Sequence, residues 1–299
     1  MVRKITLTFL YVCVPLVVVA LSYRAVEHYL FEAANPSDST PVLVDVSADK
    51  SFKQLAKELE SKGLVRTALS LRIIARLEKS DTAIKAGEYE LSASMTPEDI
   101  LHKMVRGEMV LRRVTVKEGM RVSEIGPLLE EAGITSRADF DAALMDGALL
   151  VELKMPAPSF EGYLFPDTYQ FRRNTPARAV IEAMKEQFDA RWKPEWNDRL
   201  PALGRTKHET VTLASIVEKE SGNITEQPRV ASVFHNRLRL GMKLQADPTV
   251  IYGIANFNGN ITKADLLMPT PYNTYVIQGL PPGPIANPGQ SALAATLYP

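Results

Sequence analysis

Two glutamates close one apolar run, and theirs are the side chains best suited to chemistry. The run is Val211-Thr212-Leu213-Ala214-Ser215-Ile216-Val217-Glu218-Lys219-Glu220-Ser221-Gly222. It puts Leu213, Ile216 and Val217 on one helical face with Ala214 beside them. Gly222 supplies a natural end, so the spacing predicts a largely buried helix with both carboxylates in its last turn. A glutamate in apolar surroundings has its charged form disfavoured, which keeps it protonated near neutral pH and able to donate to a leaving oxygen. The bland reading of Glu-Lys-Glu is a solvated turn. Residues 218 and 220 project about 200° apart, so at most one faces a given cleft. Periodicity leaves the choice open. Glu220 falls on the Leu213/Ile216/Val217 stripe, whereas Glu218 shares its face with Ala214, Ser215, Ser221 and Gly222, whose small size leaves room for a ligand.

A second concentration of chemistry lies at Phe160-Glu161-Gly162-Tyr163-Leu164-Phe165-Pro166-Asp167-Thr168-Tyr169. Aromatics beside carboxylates suit a sugar-binding rim, and equally an aromatic turn at a domain boundary. Other chemistries are excluded or disfavoured. The only cysteine, Cys13, sits in an apolar N-terminal run, so the rest of the chain has no thiol for catalysis, disulfides or zinc. His28, His102, His208 and His235 lack ligand-pair spacing, so neither a metal nor a cofactor is expected. Lys+Arg and Asp+Glu balance at 35 each, without the basic excess that a nucleic-acid partner requires. No G-x-S-x-G elbow marks a serine hydrolase.

The elements that must position these residues are readable in outline. Arg3 and Lys4 precede an uncharged, mostly apolar run from Ile5 to Tyr23, nearly long enough at about 1.5 Å per residue to cross a bilayer core of about 30 Å. A signal peptide cleaved near Ala20-Leu21-Ser22 is the alternative to an anchor. The leading positive charges put the short N-terminus in the cytoplasm and everything after Arg24 outside. Residues 33–41 read as a linker. Val42, Val44 and Val46 then suggest a strand, Ser47-Ala48-Asp49-Lys50 a turn, and Phe52, Leu55, Ala56 and Leu59 a helix closed by Gly63. The pattern recurs seventy residues later, pairing Val44 with Val114, Val46 with Val116, Phe52 with Val122, Leu55 with Ile125, Leu59 with Leu129 and Gly63 with Gly133, an internal repeat. Between the copies, Ala86–Leu91 reads as a strand, and Thr96-Pro97-Glu98-Asp99 opens a helix that stops at Gly107. Such units resemble LysM-like modules that bind glycans; a plain spacer is the other reading. Tyr89 is the only tyrosine or tryptophan between Tyr29 and Tyr163.

Several further motifs, in order, carry a family resemblance. They are Leu213–Glu220, Val233-Phe234-His235-Asn236-Arg237-Leu238, Leu244-Gln245-Ala246-Asp247-Pro248-Thr249-Val250-Ile251-Tyr252-Gly253, Pro271-Tyr272-Asn273-Thr274-Tyr275 and Gly279-Leu280-Pro281-Pro282-Gly283-Pro284-Ile285, with Glu161–Tyr169 ahead of them. Together they resemble the endolytic murein transglycosylases of the MltG (YceG-like) family. The resemblance implies an α+β fold and cleavage of peptidoglycan glycan strands, with Glu218 as catalytic acid and base. Gln245, Asp247, Asn273 and Tyr275 would line the cleft with Glu161 near it, although Asp247 before Pro248 also suits a turn and Asn273 a cap. It further implies an inner-membrane, single-pass protein with its bulk in the periplasm, beside cell-wall synthases. The expected organisation is 1–4 cytoplasmic, 5–23 anchor, 24–41 linker, 42–110 LysM-like, 111–158 a second strand-helix module and 159–299 the catalytic domain. The family's pattern continues with another strand-rich stretch beyond Leu297-Tyr298-Pro299, so the resemblance implies that part of the cleft or of its supporting sheet lies outside these residues. The rivals are a lysozyme-like hydrolase with Glu161, Asp167 or Asp247 as second carboxylate, and a non-catalytic peptidoglycan-binding scaffold.

Overall fold

The chain folds as two mixed units of helices and short antiparallel strands in a computed structural model that describes residues 2–47, 49–255 and 257–299, with side chains from Val14 onward. The expected turn residue Ala48 and the side chains of the apolar run before Val14 lie outside the described residues. Contacts divide the chain into residues 1–111 and 112–299.

The first unit opens with helix α1 (Val2–Phe31). Its Val14–Phe31 part is unburied and, at a mean hydropathy of 1.3 over 18 residues, long and apolar enough to cross a membrane. Strand β1 (Val42–Val46) follows, then α2 (Phe52–Ser61), α3 (Ala68–Glu78), β2 (Gly87–Leu91) and α4 (Pro97–Arg106). Alternation in β1 buries Val44 and Val46 and exposes Leu43 and Asp45. Helix α2 begins in a capping box between Ser51 and Gln54. Helix α4 begins in another, between Thr96 and Asp99, with Pro97 in its first turn, and ends on Gly107 in the left-handed region, as the sequence pattern requires. The core gathers Val44, Leu55, Leu59, Leu71, Tyr89, Ile100, Leu101 and Met104. Tyr89 is fully buried and offers no face on which a sugar could stack.

The second unit repeats this plan with β3 (Arg112–Thr115), α5 (Val122–Glu131), α6 (Arg137–Leu144), the short α7 (Gly147–Glu152), β4 (Thr168–Phe171) and α8 (Ala177–Arg191). The repeat is longer than the sequence pattern indicates, because it includes the second strand and third helix. Val44 lies opposite Tyr89 in the first antiparallel pair and Val114 opposite Tyr169 in the second. Tyr89 Oη donates to Lys85 O at 2.7 Å and Tyr169 Oη to Phe165 O at 2.6 Å. Lys85 N donates to Met104 O, and Phe165 N to Met184 O. The motif around Phe165-Pro166-Asp167-Thr168-Tyr169 is therefore the second copy's approach to its closing strand. Phe160, Tyr163, Leu164 and Phe165 are accordingly buried, which corrects the reading of this segment as an aromatic rim: the hydrophobic demand of the core takes these side chains.

Added to the second copy are α9 (Pro194–Leu203), α10 (Lys207–Glu220), α11 (Gln227–Arg239), α12 (Asp247–Gly253), α13 (Lys263–Leu267) and α14 (Gln290–Leu297). Helix α10 packs against α9, α11, α12 and α14, so every residue from Thr210 to Val217 is buried. Leu213, Ile216 and Val217 share a core with Ala231, Phe234, Leu244, Ile285 and Ala292.

Leu59 and Leu129 are fully buried at equivalent places in the two copies. Leu59→Ala and Leu129→Ala are each expected to lower the free energy of unfolding by about 2–5 kcal/mol, as cavity-forming substitutions do. Urea titration of the full chain in detergent measures this, and a loss below about 1 kcal/mol at either site would remove it from the core.

Candidate active site

Glu218 stands where burial ends. Val217 is fully buried, Glu218 is half-buried, and Lys219 and Glu220 are exposed. Glu218 Oε2 accepts a hydrogen bond from the Gly289 N–H at 2.9 Å, at the N-cap of α14. On another side lies the loop after β3, where Gly119 has φ +75° and a β-carbon would stand 3.5 Å from Glu218 Cγ. Lys219 Nζ donates to Gly119 O at 3.2 Å. Burial pushes the Glu218 carboxyl above the usual carboxylate range and the Glu118 charge adds to this, while the Gly289 N–H and Lys219 act against it. The result is a carboxyl group that can hold a proton and is close enough to solvent to deliver it.

The segment carrying Gly289 is held by Asn287, a residue that sequence reasoning passed over. Gly119 N donates to Asn287 O and Asn287 N to Met120 O, each at 2.9 Å. Asn287 Nδ2 also donates to Met120 O at 2.9 Å, and its Oδ1 accepts from Leu164 N at 3.0 Å. The side chain is fully buried and uses its amide in both senses. The signal that could have flagged it is Asn287-Pro288-Gly289, a turn-forming tripeptide just beyond the glycine- and proline-rich motif.

Glu161 is 3% exposed. Its Oε1 accepts from Val122 N at 3.2 Å, at the start of α5, and its Oε2 from Tyr252 Oη at 3.3 Å. Tyr252 is flanked by the Arg121 guanidinium, 5.0 Å from its ring centre, and by the Tyr272 ring at 4.6 Å. Burial pushes the Glu161 carboxyl up to about 7; the Val122 and Tyr252 hydrogen bonds and Arg121 oppose this, and Glu124 adds to it.

Gln245, Asp247 and Tyr275 gather on the other side of the last turn of α10. Gln245 is exposed with φ +53°, and its Oε1 accepts from Arg237 at 3.4 Å. Asp247 Oδ1 accepts from Tyr275 Oη at 2.6 Å, which pushes the phenol up to about 12. The Glu220 carboxyl is raised by partial desolvation and by Asp247, against Arg237, so Glu220 faces this group. Asn273 is buried and its Nδ2 donates to Asp265 O, Leu266 O and Met268 O, while its Oδ1 accepts from Tyr275 N at 2.9 Å. It caps the end of α13 and fixes the backbone of Tyr275. The structure thus gathers Gln245, Asp247 and Tyr275 with Glu220, and Gly119, Glu118 and Gly289 with Glu218, as the turn of about 100° per residue demands.

Residues 44–299 match the model of the YceG-like family. The protein named endolytic murein transglycosylase of Bacillus subtilis (strain 168) is 29% identical over 286 residues, covering 90% of this chain and 79% of that protein. The protein of the same name from Streptococcus pneumoniae serotype 2 (strain D39) is 28% identical over 304 residues, covering 90% of this chain; the chain spans 55% of that relative's length. The crystal structure of a YceG-like protein from Listeria monocytogenes superposes with a TM-score of 0.59 at 31% identity, covering 87% of this chain and 90% of that one.

The Glu161 environment makes stability depend on pH. A carboxyl whose folded value exceeds its unfolded one favours the folded state when protonated. That contribution is full below the unfolded value of 4.5 and is lost as pH rises through about 7. At about 1.4 kcal/mol per unit the loss amounts to about 3 kcal/mol. Urea titrations at pH 5 and pH 8 should show this fall in the parent protein and a much flatter profile in Glu161→Gln; equal slopes would place the Glu161 charge in contact with water.

Proposed function

The chain belongs to the YceG-like family, and on that premise we propose that it is an endolytic murein transglycosylase, cutting the glycan strands of peptidoglycan with Glu218 as both acid and base. The observation that carries the assignment is the half-buried Glu218 carboxyl at the end of a buried helix, raised in pKa and held by one backbone N–H. Protonated Glu218 donates to the oxygen bridging N-acetylmuramic acid and N-acetylglucosamine. The resulting carboxylate takes the proton of the muramyl 6-hydroxyl as that oxygen closes on C1. An intramolecular hydroxyl competes well with water because effective molarities reach about 10⁵ M or more in good geometry.

A lysozyme-like hydrolase would need a second carboxylate beside the sugar; the three that the sequence suggests are engaged elsewhere, and with the exposed Glu118 lying against Gly289 the ends of the product distinguish the two readings. Glu161 is interior. Asp167 accepts from Thr168 N, Gln187 and Arg191; burial works against its charge, but these bonds keep it ionised below the usual range. Asp247 is taken by Tyr275. Under this reading Gln245, Asp247 and Tyr275 contact substrate beyond the cleavage point, Asn273 holds Tyr275 in place, and Glu161 secures Tyr252.

Residues 159–299 supply the catalytic domain and 111–158 the module that joins it. Residues 42–110 form a LysM-like unit that, with Tyr89 in its core, serves as a spacer better than as a stacking platform. Residues 5–23, behind Arg3 and Lys4, anchor the chain in the inner membrane with 1–4 in the cytoplasm, 24–41 as linker and the bulk in the periplasm. Endolytic cutting of nascent strands places the enzyme beside cell-wall synthases.

Digestion of peptidoglycan by the full chain, followed by mass spectrometry, is expected to give 1,6-anhydromuramyl ends that borohydride does not reduce; reducible muramyl ends would sink the transglycosylase reading. Glu218→Gln should lower the rate at least about 100-fold, the scale of a lost general acid, with little change in melting temperature, while Glu220→Gln should keep most of it. Cell fractionation should find the chain in the membrane at unprocessed mass, and a mature protein beginning near Tyr23 would show a cleaved signal instead.

A further inference from the structure

The site holds a second carboxylate for which a single-glutamate mechanism has no use. Glu118 precedes Gly119 on the loop after β3, and its side chain lies against Gly289: a β-carbon there would stand 1.8 Å from Glu118 Oε1 and 2.1 Å from its Cδ. Gly289 has φ −76° and ψ 173°, a backbone that any residue adopts, so the missing side chain here gives the Glu118 carboxylate its place and is not a demand of conformation. The same Gly289 gives its N–H to Glu218. Two carboxyl groups from distant parts of the chain therefore lie on one residue. Neither loop is free to drift apart from the other, because the Gly119–Asn287 and Asn287–Met120 backbone bonds join them and Lys219 Nζ holds Gly119 O.

We propose that Glu118 is a positioning residue for Glu218, its charge holding the proton on the Glu218 carboxyl; this rests on the reading of Glu218 as the acid. Two carboxyl groups beside one donor do not both ionise cheaply. Glu118 is exposed and Glu218 half-buried, and burial together with the Glu118 charge disfavours ionisation of Glu218. The charged groups facing Glu218 are Glu118 from the β3–α5 loop and Lys219 from its own helix, and α14 adds only the uncharged Gly289 N–H. Lys219 Nζ is bonded to the Gly119 carbonyl, and the Glu118 charge adds to the effect of burial against the Gly289 N–H.

The test is the pH dependence of kcat/KM on peptidoglycan strands for the full chain in detergent. In the parent protein the rate falls on the alkaline side as Glu218 loses its proton. Glu118→Gln is expected to move that limb to lower pH by at least half a unit, about a threefold loss of relative rate above the limb. Glu118→Asp, which keeps the charge, should restore most of the shift. Gly289→Ala, whose methyl displaces the Glu118 carboxylate, should reproduce it and serves if Glu118→Gln lowers the melt. An unmoved limb in Glu118→Gln, or equal losses at every pH in the Gln and Asp variants, would overturn the proposal. Parent protein that gives no anhydromuramyl ends would instead remove the underlying reading of Glu218, so the two failures are told apart.

Discussion

Asn287 is the interaction on which the surroundings of Glu218 depend. Its backbone and side chain together bind Gly119, Met120 and Leu164, the last two of which the chain brings in from 167 and 123 residues away. A buried amide left without partners costs about 1–3 kcal/mol, so these bonds are mutually enforcing: each segment keeps Asn287 satisfied and Asn287 keeps each segment in register. The helix that follows it starts at Gly289, and the N–H at that start is the donor for Glu218. The hub thus fixes the loop that contributes Gly119 and Glu118 and the helix end that contributes Gly289.

Burial of α10 supplies the other half. Four helices enclose it, and the enclosure ends within one residue of Glu218. A carboxyl group one turn deeper would carry the full desolvation penalty without a route to substrate, and one turn further out would titrate like any surface acid. Glu220, two residues on, lies on the opposite side of the same turn, among Asp247, Tyr275 and Arg237. One helix terminus therefore presents two carboxylates to two different groups of neighbours.

The buried helix that ends at Glu218 and Glu220 was legible in the sequence because apolar spacing is a local property, whereas the choice of Glu218 came from the family resemblance. The cap at Thr96, the strand at Val42–Val46 and the glycine ends at Gly63 and Gly107 were legible for the same reason. What escaped was non-local. Asn287 and Gly289 matter only through residues more than seventy positions away, and Glu118 reads as a solvated turn residue until Gly289 is seen beside it. The Phe160–Phe165 aromatics read both ways because composition cannot separate an exposed rim from a core-facing turn, and their burial selects the turn. Asn273 read both ways, as cleft lining and as a cap, and only its three carbonyl partners tell where the amide points.

The repeat shows why the framework was easier to read than the chemistry. Both copies keep the apolar positions and the left-handed glycine after the first helix, because both must bury a helix pair against two strands. They also keep the tyrosine that ties the second strand to the carbonyl four residues back. These constraints act on packing and recur wherever the plan recurs. The residues corresponding to Glu118 and Gly119 in the first copy are Ala48 and Asp49, so the pair that lies against Glu218 is absent from it. The first copy is also followed at once by β3, whereas the second continues into α9–α14. The duplicated fold thus supplies a loop after the first strand in each copy, and only where added helices bring a buried carboxyl and an N-terminal N–H to that loop does it become part of a site.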